Sequence, residues 1–164
     1  MDANIGLARK HARILLKKIG CDKAPVLLSE VVRYLKSEND IKFSAWDFDD
    51  SVSGLLIEDE EMTAVGYNEN HHVHRQRFTV AHELGHYIMS HNNQRKNEGF
   101  SLESNDPHEK EANTFASELL MPLSFLKEDL KKGNVNVEVF AEKYWVSKEA
   151  MGWRLRDSTV FKYI

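Results

Sequence analysis

The most informative segment of the 164-residue chain is RQRFTVAHELGHYIMSH, residues 75–91. Its apolar residues recur at helical spacing and share one stripe: Phe78, Ala81, Leu84, Gly85 and Ile88. This periodicity predicts an amphipathic helix over about residues 75–91. Within that helix His82 and His86 stand four positions apart, and therefore one turn apart on the same face.

The pentapeptide His82-Glu83-Leu84-Gly85-His86 matches the pattern H-E-x-x-H. Two imidazoles one turn apart can bind the same Zn²⁺, whereas Glu83 projects at a different angle and can reach a water on the metal. Zinc lowers the pKa of such a water to about 7, and a carboxylate can then take the proton. The motif therefore predicts His82 and His86 as metal ligands and Glu83 as the general base.

A catalytic zinc normally has three protein ligands, so a third must come from elsewhere in the chain. A metzincin would have Gly at position 89 and His at position 92, but the chain has Met89 and Asn92, which excludes that class. The candidates are Glu109 and Glu111, on a helix predicted to begin at Pro107 after an Asp N-cap.

The helical spacing favours Glu109 over Glu111. Glu109 begins a continuous stripe whose other members are Ala112, Asn113, Ala116 and Leu120. The alanines would let two helices approach closely, which places Glu109 at the contact and Asn113 one turn further as a partner for a ligand histidine. Glu109 also stands three residues after Asp106, the spacing of a capping box, so it could instead only cap the helix. The choice of third ligand stays open on this evidence.

Two segments together resemble the ImmA/IrrE family of zinc metallopeptidases. They are residues 75–86 and 109–122, and the similarity extends to Asn68 and to Arg154-Leu155, so that it covers about residues 25–157. The resemblance implies a gluzincin-like domain whose third ligand is a glutamate followed four positions later by Asp or Asn, which Glu109 and Asn113 match. It further implies an endopeptidase that cleaves a helix-turn-helix repressor of a phage or mobile element.

The remaining sequence predicts one α+β domain over residues 1–164, a small zincin-like metallopeptidase domain in the terms of that family. Its expected parts are N-terminal helices in 1–36, a short antiparallel or mixed sheet in 41–67, zinc-site helices in 73–122 and a helix-turn-helix-like tail in 137–157. Residues 92–106 are polar without periodicity and predict a loop.

Composition excludes several other classes of protein. The chain has 22 Lys+Arg against 26 Asp+Glu, and a net charge of −4 gives no general attraction to nucleic acid phosphates. The single Cys21 excludes a disulfide framework and zinc sites built on several thiolates. No apolar run reaches the roughly 18–20 residues that span a bilayer, and the N-terminus lacks a signal-peptide pattern. A cytoplasmic protein with no membrane partner is expected.

Two alternative functions remain open. The protein could keep the zinc fold and act without proteolysis, as a regulatory module that binds a repressor or antitoxin. It could also bind DNA, because its tail has helix-turn-helix spacing with Ser147 as the N-cap of the second helix. That helix carries only three basic residues besides its apolar ones, which argues against this reading: Lys148, Arg154 and Arg156.

The other clustered histidines give weaker predictions. His71, His72 and His74 precede the helix and could line the cleft. His91 is expected at the end of the helix, away from the metal-facing side.

Overall fold

A computed structural model describes residues 2–60, 62–91, 95–97, 104–133, 135–157, 160 and 162, with the backbone alone described at 95–97. Seven helices and four strands lie within these residues. The helices are α1 (Ile5–Lys18), α2 (Leu28–Glu38), α3 (Val73–Ile88), α4 (Pro107–Leu120), α5 (Leu123–Leu130), α6 (Val137–Tyr144) and α7 (Lys148–Arg156). The strands are β1 (Ile41–Trp46), β2 (Gly54–Glu58), β3 (Thr63–Asn68) and β4 (Arg95–Asn97). Among the described helices, none has both the length and the apolar character that a bilayer crossing requires.

The four strands form one mixed sheet in the order β1-β3-β2-β4. β1 runs parallel to β3, whereas β2 runs antiparallel to both β3 and β4. The predicted α+β class with a short mixed sheet is confirmed. The loop predicted over residues 92–106 is wrong at 95–97, where β4 pairs with β2. A three-residue strand at a sheet edge is held by backbone hydrogen bonds, which require no pattern of apolar side chains.

Helix α3 lies at the centre of the fold. Every residue from Arg77 to His86 is buried, because the sheet packs on one side of α3 and α4 packs on another. The sequence shows only one apolar stripe on this helix. Apart from Val80, the remaining buried positions carry polar side chains, so apolar periodicity alone does not reveal how completely this part of the helix is enclosed.

Helices α3 and α4 approach closely at Gly85. A Cβ on Gly85 would lie 2.9 Å from Cα of Ala112 and 3.0 Å from its carbonyl oxygen. This agrees with the close approach of two helices that the alanines of α4 predict. It brings the first turns of α4 alongside the histidines of α3.

Helices α1 and α7 also pack around α4. Glu118 of α4 is buried between Arg13 of α1, whose Nε donates to it over 2.7 Å, and Arg154 of α7, which forms a very short ion pair with it. Arg154 also donates to the carbonyl oxygen of Met121. These contacts tie the two ends of the chain to the same helix.

Candidate metal centre

Three side chains from α3 and α4 converge on one point. The Nε2 atoms of His82 and His86 are 3.0 Å apart. The Glu109 carboxylate places Oε2 3.2 Å from His82 Nε2 and Oε1 3.3 Å from His86 Nε2. Ligand atoms bound tetrahedrally to zinc at 2.0–2.1 Å lie about 3.3–3.4 Å from one another. The donor types and their spacing therefore fit a zinc ion.

The N-terminus of α4 positions Glu109. Asp106 caps the helix by accepting hydrogen bonds from the backbone N–H groups of His108 and Glu109, as the sequence predicts. The side chain of Glu109 is directed to the two histidines, whereas Glu111 lies against His91 and the start of α1. Of the two candidate glutamates, only Glu109 is brought to His82 and His86.

Electrostatics in the cluster favour the metal-binding forms of its residues. Burial by itself would raise the pKa of Glu109, but hydrogen bonds and charge interactions with the cationic forms of His82 and His86 outweigh it and hold that pKa far below its usual range. Burial lowers the pKa of His86, although Glu109 partly opposes the shift. At neutral pH the carboxylate is ionised and the His86 imidazole is neutral, which are the states that bind a metal.

Asn113 supports His82 from behind. Its Oδ1 lies 2.9 Å from Nδ1 of His82, and because a carbonyl oxygen only accepts, the imidazole carries its proton on Nδ1. The Nε2 lone pair of His82 is then directed towards Glu109 and His86. This contact agrees with the partner position predicted for Asn113 from the spacing on α4.

His91 has a contact that the sequence did not reveal. It lies three residues beyond the end of α3, its Nδ1 is 3.0 Å from Nδ1 of His86, and 5% of its surface is exposed. Ser90 adopts a left-handed conformation (φ 56°), and the chain turns back so that the N–H of His91 donates to the carbonyl of His86. A serine at such a position gives no signal comparable with a glycine.

Glu83 is fully buried next to the first residue of β2. A Cβ on Gly54 would lie 3.1 Å from Oε1 of Glu83 and 2.5 Å from Cγ2 of Thr79. A side chain at position 54 would therefore displace one of these groups. Sequence reasoning did not single out Gly54, although a glycine at the start of a strand often marks a close approach.

The histidines before α3 lie at the other end of that helix. His72 is its N-cap and accepts from the N–H of His74, and Nε2 of His71 lies 3.0 Å from the carbonyl oxygen of Asp50. His72 precedes His82 by ten residues, about 15 Å along a helix axis. The structure does not bring these three histidines to the cluster.

Comparison with known proteins gives a family and a fold neighbour. The family model described as the IrrE N-terminal-like domain, a peptidase family, matches residues 37–156. A solved structure described as a Mycobacterium tuberculosis transcriptional regulator is similar in fold, with a TM-score of 0.66 and 13% sequence identity. The alignment covers 90% of this chain and 46% of that chain, so this chain spans about half the length of the regulator. No curated protein gives a significant match.

Proposed function

The chain belongs to the IrrE N-terminal-like domain family of peptidases, and we therefore propose that it is a zinc-dependent endopeptidase. The observation that carries the proposal is the convergence of His82, His86 and Glu109 within zinc-binding distances of one another. In this proposal these three residues hold Zn²⁺ and Glu83, on the same turn of α3, is the general base.

Each residue of the site has a separate role in the proposed hydrolysis. His82, His86 and Glu109 would hold the ion, and a zinc there would supply Lewis-acid chemistry, namely polarisation of the scissile carbonyl and a water with its pKa lowered to about 7. Glu83 takes the proton from the attacking water and passes it to the nitrogen of the leaving amine. The glycine at position 54 leaves room for this carboxylate, because a Cβ there would lie 3.1 Å from Oε1 of Glu83. Glu109 has a partly exposed side chain (19%) and marks the side from which a peptide can approach.

We further propose that the substrate is a protein, namely a helix-turn-helix repressor of a phage or mobile element. The resemblance to ImmA/IrrE proteins supports this assignment, and the description of the fold neighbour as a transcriptional regulator is compatible with it. Direct binding to DNA is less well supported, because Arg154, a basic residue of the candidate recognition helix, is buried in an ion pair with Glu118.

The decisive variant is Glu83→Gln, which keeps the size of the side chain but removes the base. Zinc content should stay at the wild-type level, whereas cleavage should fall about 10²–10⁴-fold. The measurement combines metal analysis with mass spectrometry of helix-turn-helix repressors from the same genome after incubation with each protein. The exposed Glu142→Gln is the matched control and should cleave normally. Undiminished cleavage by Glu83→Gln would refute the mechanism.

A zinc-containing module that binds a repressor or antitoxin without cleaving it is the second candidate. The complete burial of Glu83 favours it, because a general base has to reach the water that it deprotonates. Equal binding of an intact repressor by wild type and Glu83→Gln, with no cleavage product from either, would support this function over the peptidase.

A further inference from the structure

A chain of hydrogen bonds runs from the start of α1 to the back of His86. The backbone N–H of Asn4 donates to Oε1 of Glu111 over 2.5 Å. Oε2 of Glu111 lies 2.5 Å from Nε2 of His91, and Nδ1 of His91 lies 3.0 Å from Nδ1 of His86. Asn4 is outside the segment that the family model matches, so this series of hydrogen bonds begins in a part of the protein that the family model does not cover.

While His91 is neutral, only one assignment of donors and acceptors satisfies this series of hydrogen bonds. An ionised carboxylate only accepts, so Nε2 of His91 must carry the proton that faces Glu111. Nδ1 of His91 is then an acceptor, and Nδ1 of His86 must donate to it. The proton of His86 therefore sits on Nδ1, which leaves the Nε2 lone pair for the metal.

The surroundings support this order. Both oxygens of the Glu111 carboxylate have a partner, because Oε1 accepts from the Asn4 N–H and Oε2 lies 2.5 Å from Nε2 of His91. His91 and Glu111 are both buried, which weakens competition from solvent for their hydrogen bonds. Both proposed ligand histidines then carry the proton on the same ring nitrogen, because that of His82 is also on Nδ1, facing Asn113.

We propose that Glu111 and His91 are positioning residues that fix the Nδ1–H form of His86. Together with the N–H of Asn4 at the start of α1, they form a hydrogen-bonded relay that ends at Nδ1 of His86. This inference rests on the proposed metal site, because the form it assigns matters only if Nε2 of His86 binds the ion. It assigns Glu111, the rejected candidate for third ligand, a separate role behind the second histidine.

The sharpest test is Glu111→Gln, which has nearly the same shape. Its carbonyl oxygen would keep the hydrogen bond from Asn4, so its NH₂ group would face Nε2 of His91 and donate to it. Donors and acceptors along the relay would then exchange roles, and the proton of His86 would move to Nε2. Nitrogen NMR of the histidine side chains in the zinc-free protein should show this change. An unchanged His86 spectrum in Glu111→Gln would overturn the proposal.

Zinc affinity gives an independent readout. Competition with a chelator should show zinc binding weakened about 10–100-fold in Glu111→Gln and in His91→Leu, as is typical when a partner of a ligand histidine is lost. His91→Asn keeps a polar group near the position of Nδ1 and should recover part of the loss. Wild-type affinity in both Glu111→Gln and His91→Leu would contradict the relay.

His108→Leu is the matched control for the histidine change. The ring of His108 stacks on that of His91, with 4.4 Å between the ring centroids, but His108 is exposed and takes no part in the relay. Its removal should leave zinc affinity within about twofold of wild type. A loss as large as that of His91→Leu would show that packing of the ring, and not the hydrogen bonds, is what matters.

Asn4 allows the far end of the relay to be tested separately. Asn4→Pro and Asn4→Ala both remove the side-chain cap on the N–H of Leu7, but only proline also removes the backbone N–H that reaches Glu111. Zinc binding should be weaker in the proline variant than in the alanine variant. Equal affinities would exclude Asn4 from the relay.

These outcomes separate the two proposals. If the wild-type protein bound no zinc, the proposed function would fail, while the NMR comparison in zinc-free protein would still decide the protonated form of His86. If wild type bound zinc and the relay variants did so equally well, only the relay would fail.

Discussion

The residues of the candidate metal centre are polar side chains buried or partly buried in and around α3. His82, Glu83 and His86 lie in one turn of the helix, and their fixed surroundings are what distinguish them from other histidines and acids of the chain. His82 is held by Asn113, and Glu83 lies against Gly54. Groups fixed in this way lose little freedom when they bind an ion, because their orientation is set before binding.

Removal of Glu109 should abolish tight zinc binding, because it leaves two protein ligands where a catalytic zinc has three. We expect Glu109→Ala to contain almost no zinc after dialysis against a weak chelator. Glu111→Gln should keep zinc, although with the lower affinity expected for the relay variant. Metal analysis of both purified proteins makes the comparison, and retention of zinc in Glu109→Ala would eliminate Glu109 as the third ligand.

Contacts between neighbouring helices determine whether these residues meet. The approach of α3 and α4 at Gly85 brings Glu109 to the histidines. A second contact joins α5 to α6, where Asp129 accepts hydrogen bonds from Tyr144 and from two lysines. The first contact positions the site, whereas the second stabilises the region that follows α4.

Gly85→Ala should destabilise the protein although alanine favours helices. The added methyl group would meet the backbone of Ala112, which cannot move without shifting α4, and such overpacking costs about 1–3 kcal/mol. Gly152→Ala is the matched control, because its Cβ would make only an ordinary contact of 3.7 Å with Arg156. That variant should be more stable than wild type by up to about 1 kcal/mol. Chemical denaturation measures both changes, and equal stability of the two variants would contradict the close approach.

Asp129→Asn should lower the free energy of unfolding at pH 7 by about 1.5–3 kcal/mol, because the buried hydroxyl of Tyr144 donates to a charged acceptor. Burial would raise the pKa of Asp129, but hydrogen bonds from Lys143, Tyr144 and Lys132 hold it below its ordinary value. The folded-state pKa is thus lower than that of the unfolded chain. The stabilisation is complete above the unfolded value of about 3.9 and is lost as the pH falls below it.

Denaturation of wild type and Asp129→Asn across this pH range tests that linkage. The difference between their unfolding free energies should shrink as the pH falls below about 3.9, the ordinary Asp value. The exposed Asp40→Asn is the control for the loss of one negative charge and should change the free energy of unfolding at pH 7 by no more than about 0.5 kcal/mol. A constant difference down to pH 2 would contradict the prediction for Asp129.

Taken as a whole, the molecule is held together around α4. The N-terminal α1 and the C-terminal α7 both pair with Glu118 of that helix, although α1 precedes the segment that the family model matches. The same helix carries Glu109 and Asn113. α1 and α7 therefore help to fix the helix that carries the third residue of the candidate metal centre.

Glu118→Ala should cost up to about 3–5 kcal/mol, because the buried Arg154 loses its very short pair with Glu118 and keeps a longer one of 3.4 Å with Asp157. Arg13→Ala is the matched control. The side chain of Arg13 is 52% exposed, so its pair with Glu118 should contribute no more than about 1 kcal/mol. Thermal and denaturant unfolding of both variants makes the measurement. Similar losses would show that the pair with Arg154 is not the dominant interaction.

Sequence alone was sufficient where the relevant residues are close together in the chain. The spacing of His82 and His86, the cap at Asp106 and the stripe that begins at Glu109 all follow from the period of a single helix. The same period predicted a helix over about residues 75–91, which corresponds to α3 (Val73–Ile88). A pattern of this kind establishes which side chains share a face, but not which faces meet.

Only the tertiary structure decided the contacts between segments that are distant in sequence. It placed Glu109, and not Glu111, at the histidines, put Gly54 beside Glu83, paired β4 with β2 and linked Asn4 to His86 through Glu111 and His91. Each depends on how whole helices and strands pack, which is the sum of many weak contacts over the core. No local sequence pattern determines that sum. The candidate metal ligands could therefore be predicted from the sequence, but the residues that surround them could be identified only from the tertiary structure.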